Sequence, residues 1–325
     1  VNHHRPAPST LRTAPQRRHR RLAVALTALA ALTVSASPAA AGEPGPTTDG
    51  VFTTPTPTDQ TELTWAPPQL ENPEIIDVSA NRRWMRLDDN RDYVLRMPPH
   101  QLRGARGISV VGGRNVVLIG GTILIPGGTP DDGISNRALY FKDQTGVLHV
   151  EGLHLTGTGM GEGIQLDQRK GAIVQLQNIR VETVRGSQDG HHADIIQTWA
   201  GPRVLRVDRL SGSTDYQGLF LLPNQFGTQA EPEVMDLRRM DIRGTWRSAY
   251  LMWRDRRSWP LEVQDVWLTP RALHISPSLY LWPKGTTGPG TEAWSDIELG
   301  TPPGGQFVPP GTAGLGYVSP GYAIN

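Results

Sequence analysis

Residues 162–176 read Glu162-Gly163-Ile164-Gln165-Leu166-Asp167-Gln168-Arg169-Lys170-Gly171-Ala172-Ile173-Val174-Gln175-Leu176. Two short apolar-alternating runs flank a charged turn that ends in Gly171, which is the pattern of two half-buried strands. The second run recurs along the chain as Val147–Val150, Val204–Val207, Val234–Leu237 and Leu261–Val263. Its last residues, at 150, 176, 207, 237 and 263, lie 26, 31, 30 and 26 apart. The first run recurs as Ala138–Phe141, Ile195–Thr198, Gly218–Leu221 and Ala249–Met252, and an earlier pair stands at Ile108–Val111 and Val116–Ile119. An antiparallel sandwich gives the same alternation but not equivalent sub-strands at a steady interval. Coils stacked about 4.8 Å apart do, because each turn lays its strands over those of the turn before.

On these repeats, and on Gly112-Gly113-Arg114-Asn115-Val116-Val117-Leu118-Ile119-Gly120-Gly121-Thr122-Ile123 and Val150-Glu151-Gly152-Leu153-His154-Leu155, the chain resembles the right-handed parallel β-helix proteins of the pectate-lyase-like superfamily. The resemblance covers roughly residues 90–282. It implies an all-β fold, a right-handed parallel β-helix with Gly/Pro-rich ends. It does not choose a reaction, since such proteins include polysaccharide lyases, glycoside hydrolases, epimerases, esterases and noncatalytic adhesins.

Composition narrows the setting. Among 325 residues there is no Cys, which excludes disulfide staples, thiolate metal sites and a thiol nucleophile. The net charge of +1 is an average of two parts. Residues 1–41 carry six Arg and no acid, leaving 32 − 6 = 26 basic against 31 acidic residues beyond, a net of −5. Nucleic acid is excluded as a partner by that balance, because phosphate binding rests on clustered positive charge. The run Arg17-Arg18-His19-Arg20-Arg21, the apolar Leu22–Val34 and the small residues Ser35–Gly42 read as a secretory signal cut after Ala41. Thirteen apolar residues span only about 20 Å as a helix, short of a ~30 Å hydrocarbon core. The expected layout is a signal at 1–41, a Pro/Thr-rich lead-in at 42–74, the β-helix at 75–283 and a Gly/Pro-rich tail at 284–325. The expected product is a secreted monomer with no transmembrane segment in the mature chain.

Superposing the repeats predicts inward rows Leu139, Ile164, Ile196, Leu219, Tyr250 and Phe141, Leu166, Thr198, Leu221, Met252. The outward rows are then Tyr140, Gln165, Gln197, Phe220, Leu251 and Lys142, Asp167, Trp199, Leu222, Trp253. Aromatic rings and amides on one sheet face suit a sugar chain, the rings meeting C–H surfaces and the amides bonding hydroxyls. The alternative is that long turns fold over this sheet and make the aromatics a second apolar layer. The expected substrate-binding residues are Tyr140, Gln165, Gln197, Trp199, Phe220, Trp253 and Arg254. A further row, Arg137, Glu162, Asp194, Gln217 and Ser248, places two carboxylates in neighbouring coils, where they shift each other's pKa or are neutralised by Arg137.

The segment Ser187-Gln188-Asp189-Gly190-His191-His192-Ala193-Asp194-Ile195-Ile196-Gln197-Thr198-Trp199 is the densest cluster of functional side chains. His191, His192, Asp194 and Glu162 are the expected catalytic residues, with His as proton donor or acceptor and the carboxylates as partners. The structural alternative has His192 and Asp194 satisfying turn backbone groups. Polygalacturonase-like patterns are present only as the fragments Pro130-Asp131-Asp132-Gly133 and Gly190-His191-His192. A pectate-lyase-like reaction implies Ca²⁺ on carboxylates, drawn from Glu162, Asp167, Asp194 and Asp215, with Lys142, Arg169, Lys170, Arg254 or Arg257 as base or clamp. Metal use is otherwise open, and zinc is disfavoured because adjacent histidines lack metal-ligand spacing. The leading reading is a lyase or, second to it, a hydrolase acting on an extracellular polysaccharide. The competing reading is a noncatalytic glycan-binding or surface solenoid.

Overall fold

In a computed structural model of the chain, residues 62–129, 135–255, 259–274, 276–283 and 296–321 are described. The leader expected at 1–41, the fragment at Pro130–Gly133 and Arg257 lie outside them. Every strand pairing is parallel, and the strands form one sheet of eight and one of twelve. Helix is confined, among the described residues, to the single turn Pro277–Tyr280. The fold is therefore a parallel β-solenoid. No helix among the described residues is long and apolar enough to cross a membrane.

The eight-stranded sheet takes one strand per coil: Trp84–Arg86, Ile108–Val111, Arg137–Lys142, Glu162–Asp167, Asp194–Ala200, Gln217–Leu221, Met252–Arg254 and Leu281–Trp282. Its register stacks Ile108, Leu139, Ile164, Ile196, Leu219, Met252 and Leu281 into one buried row. On the larger sheet Leu95, Leu118, Val150, Leu176, Val207, Leu237 and Val263 form another. The five anchors that set the sequence period are thus consecutive partners. Like residues stack because each apolar side chain leaves water only when the coils above and below present apolar atoms at the same place.

The larger sheet turns a corner at one position per coil. Gly120, Gly152, Asn178, Arg209, Arg239 and Asp265, each following a register-paired residue, all have left-handed backbone with φ between 44° and 68°. Glycine, Asn and Asp tolerate that region. Arg209 and Arg239 are held there by their heads: Arg209 Nη1 donates to the Glu62 carbonyl at 2.5 Å, and Arg239 Nε donates to Asp208 Oδ1 at 2.7 Å.

One register prediction is corrected. Met252, not Tyr250, opposes Leu219, so Trp253 joins the row of Phe220, and Tyr250 rather than Ser248 stands two residues before the paired position. The physical reason is a double inward step where each coil enters the smaller sheet. Ala138 and Leu139, Ile195 and Ile196, and Leu251 and Met252 are consecutive buried residues. Strict alternation from Ala249 miscounts that corner by two. Ser248 is instead a buried turn residue whose hydroxyl donates to the Thr245 carbonyl at 2.9 Å.

Both ends of the described chain cover the larger sheet. Gln177 Oε1 accepts from the Thr64 and Trp65 amides at 2.9 and 3.1 Å, and the Trp65 ring lies between Arg206 and Arg238, 5.6 and 5.3 Å from their guanidinium carbons. Ile297–Leu299 adds a strand beside Leu261–Thr269, and Tyr317 packs on Gly152. A cavity of about 400 Å³ on this side is lined by Arg180, Glu182, Asp241, Arg243 and Gln306. Its polar groups hold the tail, since Asp241 accepts from the Phe307 amide at 2.9 Å and Arg180 donates to the Val308 carbonyl at 2.9 Å.

Candidate functional site

The outer face of the eight-stranded sheet carries one continuous row: Trp84, Ser109, Tyr140, Gln165, Gln197, Phe220, Trp253 and Trp282. Five of the seven residues expected to bind substrate belong to it. Phe220 and Trp253 stack at 4.3 Å between centroids, and Trp253 and Trp282 lie parallel at 6.4 Å. Rings stacked on one another along the coil axis offer their edges outward. Trp84, 63% exposed, is the row's open aromatic surface.

Trp199 reaches the same region by a different route. Leu166 pairs with Thr198 but Asp167 pairs with Ala200, so Trp199 is the extra residue of a bulge. It leans across the intervening coil to Tyr140, 5.6 Å away, and meets Phe226 edge-on at 5.3 Å. The Arg137 guanidinium lies 4.7 Å from the Trp199 ring centre. Beneath this roof Gln165 is fully buried, and the turn at 222–229 folds over Gln197. The covered-sheet alternative therefore holds at the centre of the face.

Arg254 does not belong to the face. It continues the inward row below Leu221 and is 2% exposed, its Nη2 donating to the Trp259 carbonyl at 3.0 Å and its guanidinium carbon 3.8 Å from that ring. An arginine closes the core row here because Trp259 supplies both a π face and an acceptor.

The expected catalytic residues divide. Glu162 and Asp194 are direct register partners on neighbouring strands, 4% and 1% exposed. His191 Nε2 lies 3.0 Å from Glu162 Oε1, close enough to pair when the imidazole is protonated. His192 points elsewhere. It is exposed, its Nε2 is 3.1 Å from the Gln188 carbonyl and its ring is 5.0 Å from that of Tyr216, which fits a turn-stabilising role.

Burial pushes the Glu162 carboxyl up, with His191 opposing the shift. Asp194 is raised well above its ordinary 3.8, first by burial and then by repulsion from Glu162. Neither Asp194 oxygen has a hydrogen-bond partner, and Glu162 Oε2 and Gln165 Oε1 also lack one. A proton held on this pair is the cheapest way to relieve two facing buried carboxyls. The arrangement is an acid beside a base, with amides in the same two coils.

Asp167 has a different fate. Burial would raise it, but Arg169 and Lys142 hold it below the usual range. Arg169 Nε donates to Oδ1 at 2.7 Å, Lys142 binds Oδ2, and the Tyr140 hydroxyl lies 3.3 Å from Oδ2. Burial and then Asp167 push the Tyr140 hydroxyl up to about 12. Asp215 likewise accepts from Thr245 Oγ1 at 2.8 Å and faces Arg185. Of the carboxylates expected to hold Ca²⁺, Glu162 and Asp194 face each other while Asp167 and Asp215 are engaged with cations and hydroxyls of their own, and among the described residues no three His, Asp or Glu side chains converge to hold a metal. The residues present do not fit the lyase-type calcium cluster.

Of two further residues of the site, the sequence signalled one only in part and the other not at all. Arg137 opens the carboxylate row as expected, but its stacking on Trp199 depends on the bulge. Gln225, whose Oε1 accepts from Gln197 Nε2 at 3.2 Å, sits in an aperiodic turn. Compared with protein-family models, curated proteins and solved structures, the chain matches none.

Proposed function

We propose that the protein is a secreted carbohydrate-active solenoid that cleaves an extracellular glycan by hydrolysis, with Asp194 as the proton donor and Glu162 as the base. The observation that carries this reading is the pairing of Glu162 with Asp194 in facing register, both raised in pKa, beside Gln165 and Gln197. Two carboxyls whose environments keep one protonated are what acid-base cleavage of a glycosidic bond requires. His191 tunes Glu162 from outside, while Trp84 and the ring edges of Tyr140, Phe220 and Trp253 line the approach.

Hydrolysis is favoured over elimination by what surrounds the pair. A lyase needs a free basic side chain and a cation on the substrate carboxylate, but Lys142 and Arg169 are engaged with Asp167, and Arg137, the register partner of Glu162, lies over the Trp199 ring. The resemblance of the repeats to pectate-lyase-like β-helix proteins agrees with this reading at the level of architecture. The signal-like leader is what supports secretion.

The test is incubation of the protein with a panel of neutral, amino-sugar and uronate glycans, reading new reducing ends and, separately, the ultraviolet absorbance of an unsaturated product. Reducing ends without that absorbance are expected, and Asp194→Asn and Glu162→Gln should each lower the rate by about 100-fold or more. No product from any glycan sinks the enzymatic reading. A noncatalytic glycan-binding role is the second reading, favoured by the near-complete burial of Asp194 and Gln165. Retention on a glycan column without product formation would support it.

A further inference from the structure

Two neighbouring turns expose large apolar side chains to solvent. Trp246, in the turn that follows Val234–Gly244, is 73% exposed, and Leu273, in the turn that follows Leu261–Thr269, is 89% exposed. The turns leave adjacent strands of the larger sheet, on which Arg243 and Thr269 are register partners. They are also braced directly, since Arg271 Nη1 donates to the Trp246 carbonyl at 3.1 Å.

The backbone holds Leu273 outward at a cost. The His274 amide donates to the Arg271 carbonyl at 3.0 Å, which closes a tight turn, and Leu273 occupies its third position with φ 71°. Gly or Asn normally fills that position, because a bulky side chain is strained there. Arg271 Nε donates to His274 Nε2 at 2.7 Å and ties the two ends of the turn together. Within the chain no burial of the Leu273 side chain offsets the strain.

Three arginines accompany the two tips. Arg243 is exposed on the strand that leads into the first turn, the Arg247 guanidinium carbon lies over the Trp246 ring at 4.4 Å from its centre, and Arg271 is the brace. Among the described residues none of the three pairs with a carboxylate. Asp215, which accepts from Thr245 at the base of the first turn, faces Arg185 instead. The net acidity of the chain beyond residue 41 does not cancel such a patch, because salt confines the field of a charge to about 8 Å at physiological ionic strength.

A partner for this surface must offer hydrocarbon and anionic oxygens at one boundary. A sugar chain has no hydrocarbon for Leu273, and Arg247 already covers one face of the Trp246 ring. An anionic bilayer has both, with Trp at headgroup depth, Leu against the acyl chains and guanidiniums on phosphate. We propose that the turns at 245–250 and 270–274 dock the protein on an anionic lipid surface, Trp246 and Leu273 entering the interface and Arg243, Arg247 and Arg271 meeting the lipid phosphates. The contact is peripheral and independent of the carboxyl pair.

The chain has no Cys, so one environment-sensitive fluorophore can be attached at Ala272→Cys, in the second turn, or at Ile75→Cys, exposed on the first strand of the larger sheet. The full chain is mixed with vesicles of phosphatidylglycerol and phosphatidylcholine, or of phosphatidylcholine alone. A blue shift of the label at 272 but not of that at 75 is expected, with the anionic vesicles only and weakened by about 0.5 M salt. Reading the 272 label keeps attachment through the arginine-rich residues 1–41 from being counted. Leu273→Asn removes the apolar tip and relieves the backbone, so it should lower vesicle affinity by about fivefold or more while Tm is unchanged or higher. Arg247→Gln should lower affinity by about fivefold. The proposal is overturned by no shift at 272, by an equal shift at 75 or with phosphatidylcholine alone, or by an affinity that both substitutions leave unchanged.

Discussion

Two buried aspartates of this chain respond to pH in opposite ways. Asp92 is 1% exposed and accepts from Arg114 Nε at 2.7 Å, Arg114 Nη2 at 3.0 Å, the Glu71 amide at 2.6 Å and the Asn115 side chain at 3.1 Å. Burial works to raise it, but these donors win and its carboxyl lies below 3.8. Its contribution to stability is present above 3.8 and is lost as pH falls through its folded pKa. Asp92→Ala should cost about 2 kcal/mol in urea unfolding at neutral pH, because the Glu71 amide and the Asn115 amide and side chain lose their shared acceptor. Asp194 has no such donors and is raised. The folded state then binds a proton that the unfolded state has released, so stability falls as pH rises from 3.8 toward the folded pKa. Asp194→Asn should therefore melt higher than the parent at neutral pH and match it near pH 3, while losing activity. A melting temperature at neutral pH below that of the parent would show that the carboxylate is satisfied in solution. A buried carboxyl that weakens the fold is the pattern expected of a group kept for function rather than for stability.

At the scale of the element, the corner row makes a sharper claim than any strand. Gly152 has φ 68°, and a Cβ there would lie 2.0 Å from Tyr317 Cδ1. Asn178, next along the row, donates from Nδ2 to the Tyr317 hydroxyl at 3.0 Å. Gly152→Ala should expel Tyr317, lower stability by about 2 kcal/mol and open the tail to proteolysis at residues 311–321, seen by mass spectrometry of the fragments. Retention of parental protease resistance would mean that the tail is held elsewhere, through Asp241 and Arg180. The strands themselves were legible because the apolar anchors from Val150 to Val263 repeat. The entry corner was not, because Leu251 and Met252 both turn inward and alternation alone places one of them outside. Trp199 shows the same limit, since a bulge carries no mark in a run reading Ile195-Ile196-Gln197-Thr198-Trp199. Glu162 and Asp194 were found because both open a recurring element, but Gln225 belongs to a turn with no period to reveal it.

At the scale of the molecule, stability comes from stacked rows without a disulfide, so the ends of the stack matter most. The edge of Leu261–Thr269 is covered by Ile297–Leu299, and the tail roofs the long strands beside it. Removing residues 284–325 should uncover that edge and produce concentration-dependent association on gel filtration, whereas the full chain is expected to elute as a monomer. The amino-acid sequence by itself determined the period, the stacking of like residues and hence a parallel solenoid. These depend on the pattern of burial, and that pattern is written one coil at a time. It also determined that Arg137, Glu162, Asp194 and Gln217 open four successive strands of the smaller sheet. Only the tertiary structure decided that Asp194 faces Glu162 with no donor of its own, that Arg254 is buried against Trp259, and that Trp199 and the turn at 222–229 roof the amides. Those outcomes depend on register, on one bulged residue and on turn conformation, which bring together atoms from different coils and leave no periodic trace along the chain.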